Sequence, residues 1–152
     1  MKLLWLQQNI VNFTVKPDDI DYVFSSFEHK NPFSLKNEYK DYRKHIGLKL
    51  SDDDFAVLLA SELQVAYKNV KPGDYIYHND KQFRVAILKF RTDDFKSKKG
   101  KSSGWRVIAL VDELNNYFYL LSIYSHSQGK ANLSDIEKRK VRELCDEYAD
   151  SL

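Results

Sequence analysis

The hydrophobic period of this chain switches from helical to strand-like at Lys71-Pro72-Gly73-Asp74. Before that point apolar residues recur at helical spacing. Phe55, Leu58, Leu59, Leu63 and Ala66 form one stripe of period 3.6, opened by Ser51-Asp52-Asp53-Asp54. After it, short runs rich in Val, Ile, Leu, Phe and Tyr are separated by polar clusters, the pattern of strands and turns. A chain whose helices come first and whose strands follow in succession is expected to be α+β, with an antiparallel sheet of sequential neighbours.

The reading along the chain follows from this switch. Val11–Lys16 alternates weakly, as a short strand would. Pro17-Asp18-Asp19 opens a helix carrying Ile20, Val23, Phe24 and Phe27, and Asn31-Pro32 ends it. Ser34 is placed to cap a second helix running from Asn37 to Ile46 and closed by Gly47. Strands are expected at Tyr75–His78, Gln82–Arg91, Trp105–Val111 and Tyr117–Tyr124, with a turn at His78-Asn79-Asp80-Lys81. Ser134 and Glu137 form a capping box, and the helix they open carries Ile136, Val141, Leu144 and Tyr148 on one face. The whole is expected to be a single domain, 1–152. Its N-terminal region, 1–70, is mainly helical, its antiparallel sheet spans 74–126, and its C-terminal helix spans 134–151. The expected architecture is a β-meander packed on the N-terminal helices.

Alternation sorts each strand into two faces. Ala86, Leu88, Phe90, Val107, Ala109, Val111, Tyr119, Leu121 and Ile123 make a set without a charged member, expected to lie against the helices. The other set is mixed: Val85, Ile87, Lys89, Arg91, Arg106, Ile108, Leu110, Phe118, Leu120, Ser122, Tyr124 and His126. In a meander the end of one strand lies beside the start of the next. Lys89, Arg91, Arg106, Tyr124 and His126 are therefore expected at one end of the sheet, provided no bulge reverses the alternation. An ion pair with Asp112 or a loop acid is the alternative for Arg106, and protection of a sheet edge is the alternative for Lys89 and Arg91.

Charge sharpens this grouping. The net charge is only +2, yet seven basic residues stand against Asp93 and Asp94 between Lys89 and Arg106, a local net of +5. Such clustering suits an acidic partner. Lys96, Lys98, Lys99 and Lys101 are expected to contact a phosphate backbone without reading sequence. Cations can neutralise a phosphodiester as charge builds on it. An imidazole can exchange a proton near neutrality, and a tyrosine can stack on a base. RNA carries its own nucleophile, the 2′-hydroxyl, so such a cluster could cleave it without a metal.

Other chemistries find little support. His29, His45, His78 and His126 show no paired ligand spacing, and no metal or cofactor is expected. Gly100 and Gly104 lack the strand and helix that flank a phosphate-cradling loop. Cys145, the single cysteine, can form no internal disulfide and is expected to be a buried structural thiol. Met1–Leu6 is too short for a secretory core, and no run approaches the roughly 18 apolar residues of a membrane span. With 43% hydrophobic and 30% charged residues, the expectation is a cytoplasmic protein with no membrane partner.

Four segments resemble the RelE/ParE superfamily of bacterial toxins. They are Ala86-Ile87-Leu88-Lys89-Phe90-Arg91; the Lys-rich stretch ending Gly100-Lys101-Ser102-Ser103-Gly104-Trp105-Arg106-Val107-Ile108; Tyr119-Leu120-Leu121-Ser122-Ile123-Tyr124-Ser125-His126-Ser127; and Asn132-Leu133-Ser134. They fall in the family's order within residues 83–148. The resemblance implies a toxin of a toxin–antitoxin pair, a metal-independent endoribonuclease acting on mRNA at the ribosome, with a cognate antitoxin protein as partner. A relative that blocks another target, such as DNA gyrase, and a non-catalytic binding module are the alternatives. Family cleavage residues fall by position on Lys89, Arg91, Arg106, Tyr124 and His126. The chain departs from the pattern at Ser103-Gly104-Trp105, where a glycine pair is usual, at His126, where a lysine is common, and in its longer N-terminal region.

Overall fold

The computed structural model describes residues 32–33, 35–46, 49, 51–92, 105–114, 117–125 and 133–152. The expected strand at Val11–Lys16, the helix after Pro17, the Ser34 and Gly47 caps, the lysine-rich loop and His126 lie outside the described residues.

Among the described residues two helices come first, α1 (Leu35–Ile46) and α2 (Asp52–Lys68). Ser51 caps α2, its Oγ accepting from the Asp54 N–H at 3.1 Å. Phe55, Leu59, Leu63 and Ala66 are buried at the spacing the sequence predicts. The helix ends at Asn69, whose amide donates back to the Val65 carbonyl. Pro72–Asp74 then forms a 3₁₀ turn, held by the Lys71 N–H on the Asp74 carboxylate at 2.8 Å.

From this turn the chain runs as four strands, β1 (Tyr75–His78), β2 (Val85–Thr92), β3 (Trp105–Asp112) and β4 (Tyr117–Ser125). They form one antiparallel sheet in the order β1-β2-β3-β4. α3 (Asp135–Asp150) closes the chain. Ser134 and Glu137 each satisfy the other's backbone N–H at 3.1 and 3.0 Å, the expected capping box. The fold is α+β, as read from the sequence.

β2 begins at Val85 rather than at Gln82. Asn79 explains the difference, because its Oδ1 accepts from the Lys81 and Gln82 N–H groups at 3.0 and 2.7 Å. Those donors are committed to an Asx-type turn and are lost to the sheet ladder.

The expectation that one sheet face packs on helices requires correction. All eight positions of β3 are buried, so both faces are covered. On one face α2 lies under Phe90 and Phe118, with the Tyr67 ring meeting Phe118 edge-on at 5.8 Å. Tyr42 of α1 meets Trp105 edge-on at 4.8 Å. On the other face α3 carries Tyr148, whose hydroxyl donates to Asp112 at 2.7 Å, and Cys145, whose thiol approaches the Val85 carbonyl at 3.7 Å. Ile136 does not join Val141 and Leu144 in this interface. It sits in the first turn of α3 and is 57% exposed.

The face assignment within β4 also changes. The register runs Ile108 opposite Ser122 and then Ala109 opposite Leu120, a bulge that takes up Leu121. Residues paired across antiparallel strands share a face, so the bulge puts Phe118 and Leu120 with Ala109 and Val111. Tyr119 passes to the α3 side, where its ring meets Tyr148 at 5.3 Å. A single extra residue reverses the alternation for every position on one side of it.

Glu113, at the turn after β3, joins the layers. Its Oε1 accepts from the Tyr67 hydroxyl of α2 at 3.0 Å and from the Tyr75 hydroxyl of β1. Burial and the adjacent Glu113 carboxylate raise the Tyr75 phenol well above its ordinary value, so it donates at any physiological pH.

Candidate functional site

Pairing across the sheet settles which of the predicted residues meet. Arg91 lies opposite Arg106, and Arg106 lies opposite Tyr124, so the three form one row across β2, β3 and β4. Lys89 stands in the next row, opposite Ile108. Lys89, Arg91, Arg106 and Tyr124 therefore share the face that α3 covers, at the end of the sheet where the alternation predicted them. The bulge lies beyond Ser122, on the far side of Tyr124 from this end, and leaves the grouping intact.

The cluster is not a uniformly open rim. Arg91 is exposed and Lys89 is partly so, while Arg106 is 6% and Tyr124 3% exposed. Burial first, and then the facing Arg91, pull the Arg106 guanidinium down from its usual value, and Tyr124 offsets part of this. Arginine remains charged through such a shift. Burial lowers the Lys89 ammonium, and the cations Arg106, Lys138 and Arg91 lower it further. Burial raises the Tyr124 phenol, Arg106 opposes it, and Glu137 and Glu38 add to the rise. Tyr124 is thus a neutral hydroxyl at physiological pH.

Two arginines facing each other across a strand pair repel, with a lysine one row away and Lys138 of α3 within electrostatic reach. The row concentrates positive charge at this end of the sheet, with the carboxylates of Glu137 and Glu38 within electrostatic reach of Tyr124. The alternative pairing of Arg106 with Asp112 does not occur, since the two sit at opposite ends of β3 and Asp112 accepts from Tyr148.

Three participants are absent from the sequence reading. Glu38 of α1 accepts from the Ser122 hydroxyl through both carboxylate oxygens, at 3.0 and 2.8 Å, and so fastens α1 to the edge strand β4. No periodic signal marks this contact, because it joins residues 84 positions apart. Lys138 and Arg142 of α3 were legible in principle, since with Val141 they hold i, i+3 and i+4 positions on one helix face. The apolar face of the same helix, Val141, Leu144 and Tyr148, points to core packing instead.

Lys96, Lys98, Lys99, Lys101 and His126 lie outside the described residues. Among the described residues no group of three or more His, Cys, Asp or Glu is placed to hold a metal ion, and no helix is long and apolar enough to cross a membrane. Cys145 is buried, and burial pushes its thiol up to about 12. No protein-family model, curated protein or solved structure matches the chain.

Proposed function

We propose that this protein is a toxin-like RNA endonuclease that cleaves mRNA on the ribosome by metal-independent attack of the 2′-hydroxyl, in the manner of the RelE/ParE toxins its strands resemble. The observation that carries the reading is the row Arg91, Arg106, Tyr124 with Lys89 beside it. Three cations held on one face despite mutual repulsion suit a phosphodiester, whose non-bridging oxygens gain charge as the phosphorus becomes five-coordinate.

In this reading a base removes the 2′-hydroxyl proton and the oxygen forms a bond to phosphorus. The bond to the 5′-oxygen breaks, an acid protonates that oxygen, and a cyclic phosphate remains on the upstream strand. Arg91 and Lys89 reach the phosphate from the accessible part of the cluster, and Arg106 strengthens the field from beneath. Lys89, with its ammonium made more acidic by burial and then by its cationic neighbours, suits proton donation to the leaving oxygen. Tyr124 orients neighbouring groups as a neutral phenol. His126 takes the base role, and the loop lysines Lys96, Lys98, Lys99 and Lys101 guide the strand inward. A cytoplasmic location and a cognate antitoxin that covers the positive face complete the proposal.

The burial of Arg106 and Tyr124 favours a second reading, a phosphate-binding module of the same shape that does not cleave. Induced expression in a bacterial host separates the two. Cleavage predicts growth arrest with mRNA cut to cyclic phosphate ends, lost in Arg91→Ala and His126→Ala. Arrest with intact mRNA, or no arrest in a strain without an antitoxin, overturns the nuclease.

A further inference from the structure

Beside Lys89 the sheet and α3 part to leave a cleft of about 440 Å³. Its volume falls within the range of roughly 300–1,000 Å³ common to small-molecule sites. Ile76 of β1, Leu133 before α3 and Val141 of α3 supply apolar wall. The ring of Tyr77 lines it too, and the Arg142 guanidinium lies 5.5 Å from that ring's centroid. Among the described residues the charged lining is Lys89, Lys138 and Arg142, with no carboxylate. Asp146, outside the lining, accepts at Oδ1 from the Tyr77 hydroxyl and from the Asn79 amide, each at 2.8 Å. That bond is the main reason the Tyr77 phenol is pushed up to about 12. It also fixes the ring as a wall.

We infer that this cleft binds one nucleotide unit, with its phosphate between Lys89, Lys138 and Arg142 and its base against Ile76, Val141 and the Tyr77–Arg142 pair. Three cations around an apolar slot, with no acid among its described lining residues, select an anion that carries a flat, weakly polar body. A guanidinium held over an aromatic ring can meet a base with its planar face or grip a phosphate with two parallel bonds. Inorganic phosphate would satisfy the cations and leave the apolar wall wet. A neutral aromatic would do the reverse. The nucleotide can be free or part of an RNA strand, since both offer the same groups. The inference rests on reading this face as a phosphate site, and it holds whether or not the protein cleaves.

Calorimetric titration of the full chain with a 5′-nucleoside monophosphate, a short oligoribonucleotide and inorganic phosphate tests it. Lys138→Ala with Arg142→Ala should weaken the nucleotide-bearing ligands by about ten-fold or more, since charge-assisted bonds are lost. Arg139→Ala with Lys140→Ala, exposed positions on the same helix outside the cleft, should leave affinity within about two-fold of wild type. Circular dichroism confirms that both double variants keep the fold. Binding of the monophosphate points to a free nucleotide, and binding of the oligomer alone points to RNA. Either result supports the cleft if the Lys138 and Arg142 variant loses it. The inference is overturned if no nucleotide binds, if inorganic phosphate binds equally well, or if both double variants behave alike. RNA cleavage by the wild type, measured in parallel, keeps failure of the cleft distinct from failure of the nuclease.

Discussion

At the scale of single residues, Lys89 shows what the site costs the fold. Burial and three cationic neighbours hold its ammonium below the ordinary value of 10.5, so the unfolded chain binds that proton more tightly than the folded one. Stability therefore rises as pH climbs from Lys89's lowered value toward the ordinary one. Lys89→Met should raise the denaturation midpoint at neutral pH and flatten this alkaline gain, while abolishing RNA cleavage if the proposed role holds. Urea titrations at several pH values check the first part, and a lower midpoint in the variant would contradict it. Cys145 offers a second check at this scale. Its buried thiol, held up to about 12, should resist a thiol reagent at pH 8 in the native protein and react at once in denaturant. Residue chemistry of this kind was legible early. The cations of the row and the structural thiol were read from type and position, whereas the burial of Arg106 and Tyr124 was not. Burial depends on what α3 covers, and no local pattern reports that.

At the scale of elements, the legible parts were those governed by short-range rules. The stripe on α2, the Ser51 cap, the Ser134–Glu137 box and the order of the meander all follow from neighbours a few residues apart. Ser134→Ala should destabilise the protein by about 1 kcal/mol, the usual worth of such a cap, measurable by chemical denaturation. Because the first turn of α3 carries Glu137 and Lys138, which act electrostatically on Tyr124 and Lys89, fraying there should also reduce anion binding. The start of β2 is not legible in the sequence because Asn79 captures two backbone donors, and an Asx turn is hard to tell from an ordinary loop residue. The bulge in β4 was invisible for a simpler reason. Leu120 and Leu121 are both apolar, so the extra residue leaves no interruption in the hydrophobic run. The placement of α3 on the face opposite α2 went unread because a strand set that includes Val85, Ile87 and Leu110 is nearly as apolar as its opposite.

At the scale of the whole molecule, helices on both sides of a four-stranded sheet leave the cationic row at one end, next to the start of α3. A nearly neutral protein with such a focus should bind RNA with marked salt dependence. The logarithm of its affinity should fall with the logarithm of salt by roughly 0.7 per phosphate contacted, as for single strands, and Arg91→Ala should make that slope shallower. Filter binding across a salt series measures it, and an unchanged slope would place the contacts elsewhere. The bulge at Leu121 carries a consequence of another kind. β4 is written in two phases, one on each side of that residue, and each phase feeds both layers. The amount of chain at this point therefore matters more than its identity. Leu121→Met should be absorbed with little change, whereas deletion of Leu121 would act as a frameshift in space. Tyr119 would turn away from Tyr148, Phe118 would leave Tyr67, and the two layers would lose their agreement on which way the strand faces. Loss of cooperative unfolding in the deletion variant alone is the expected result.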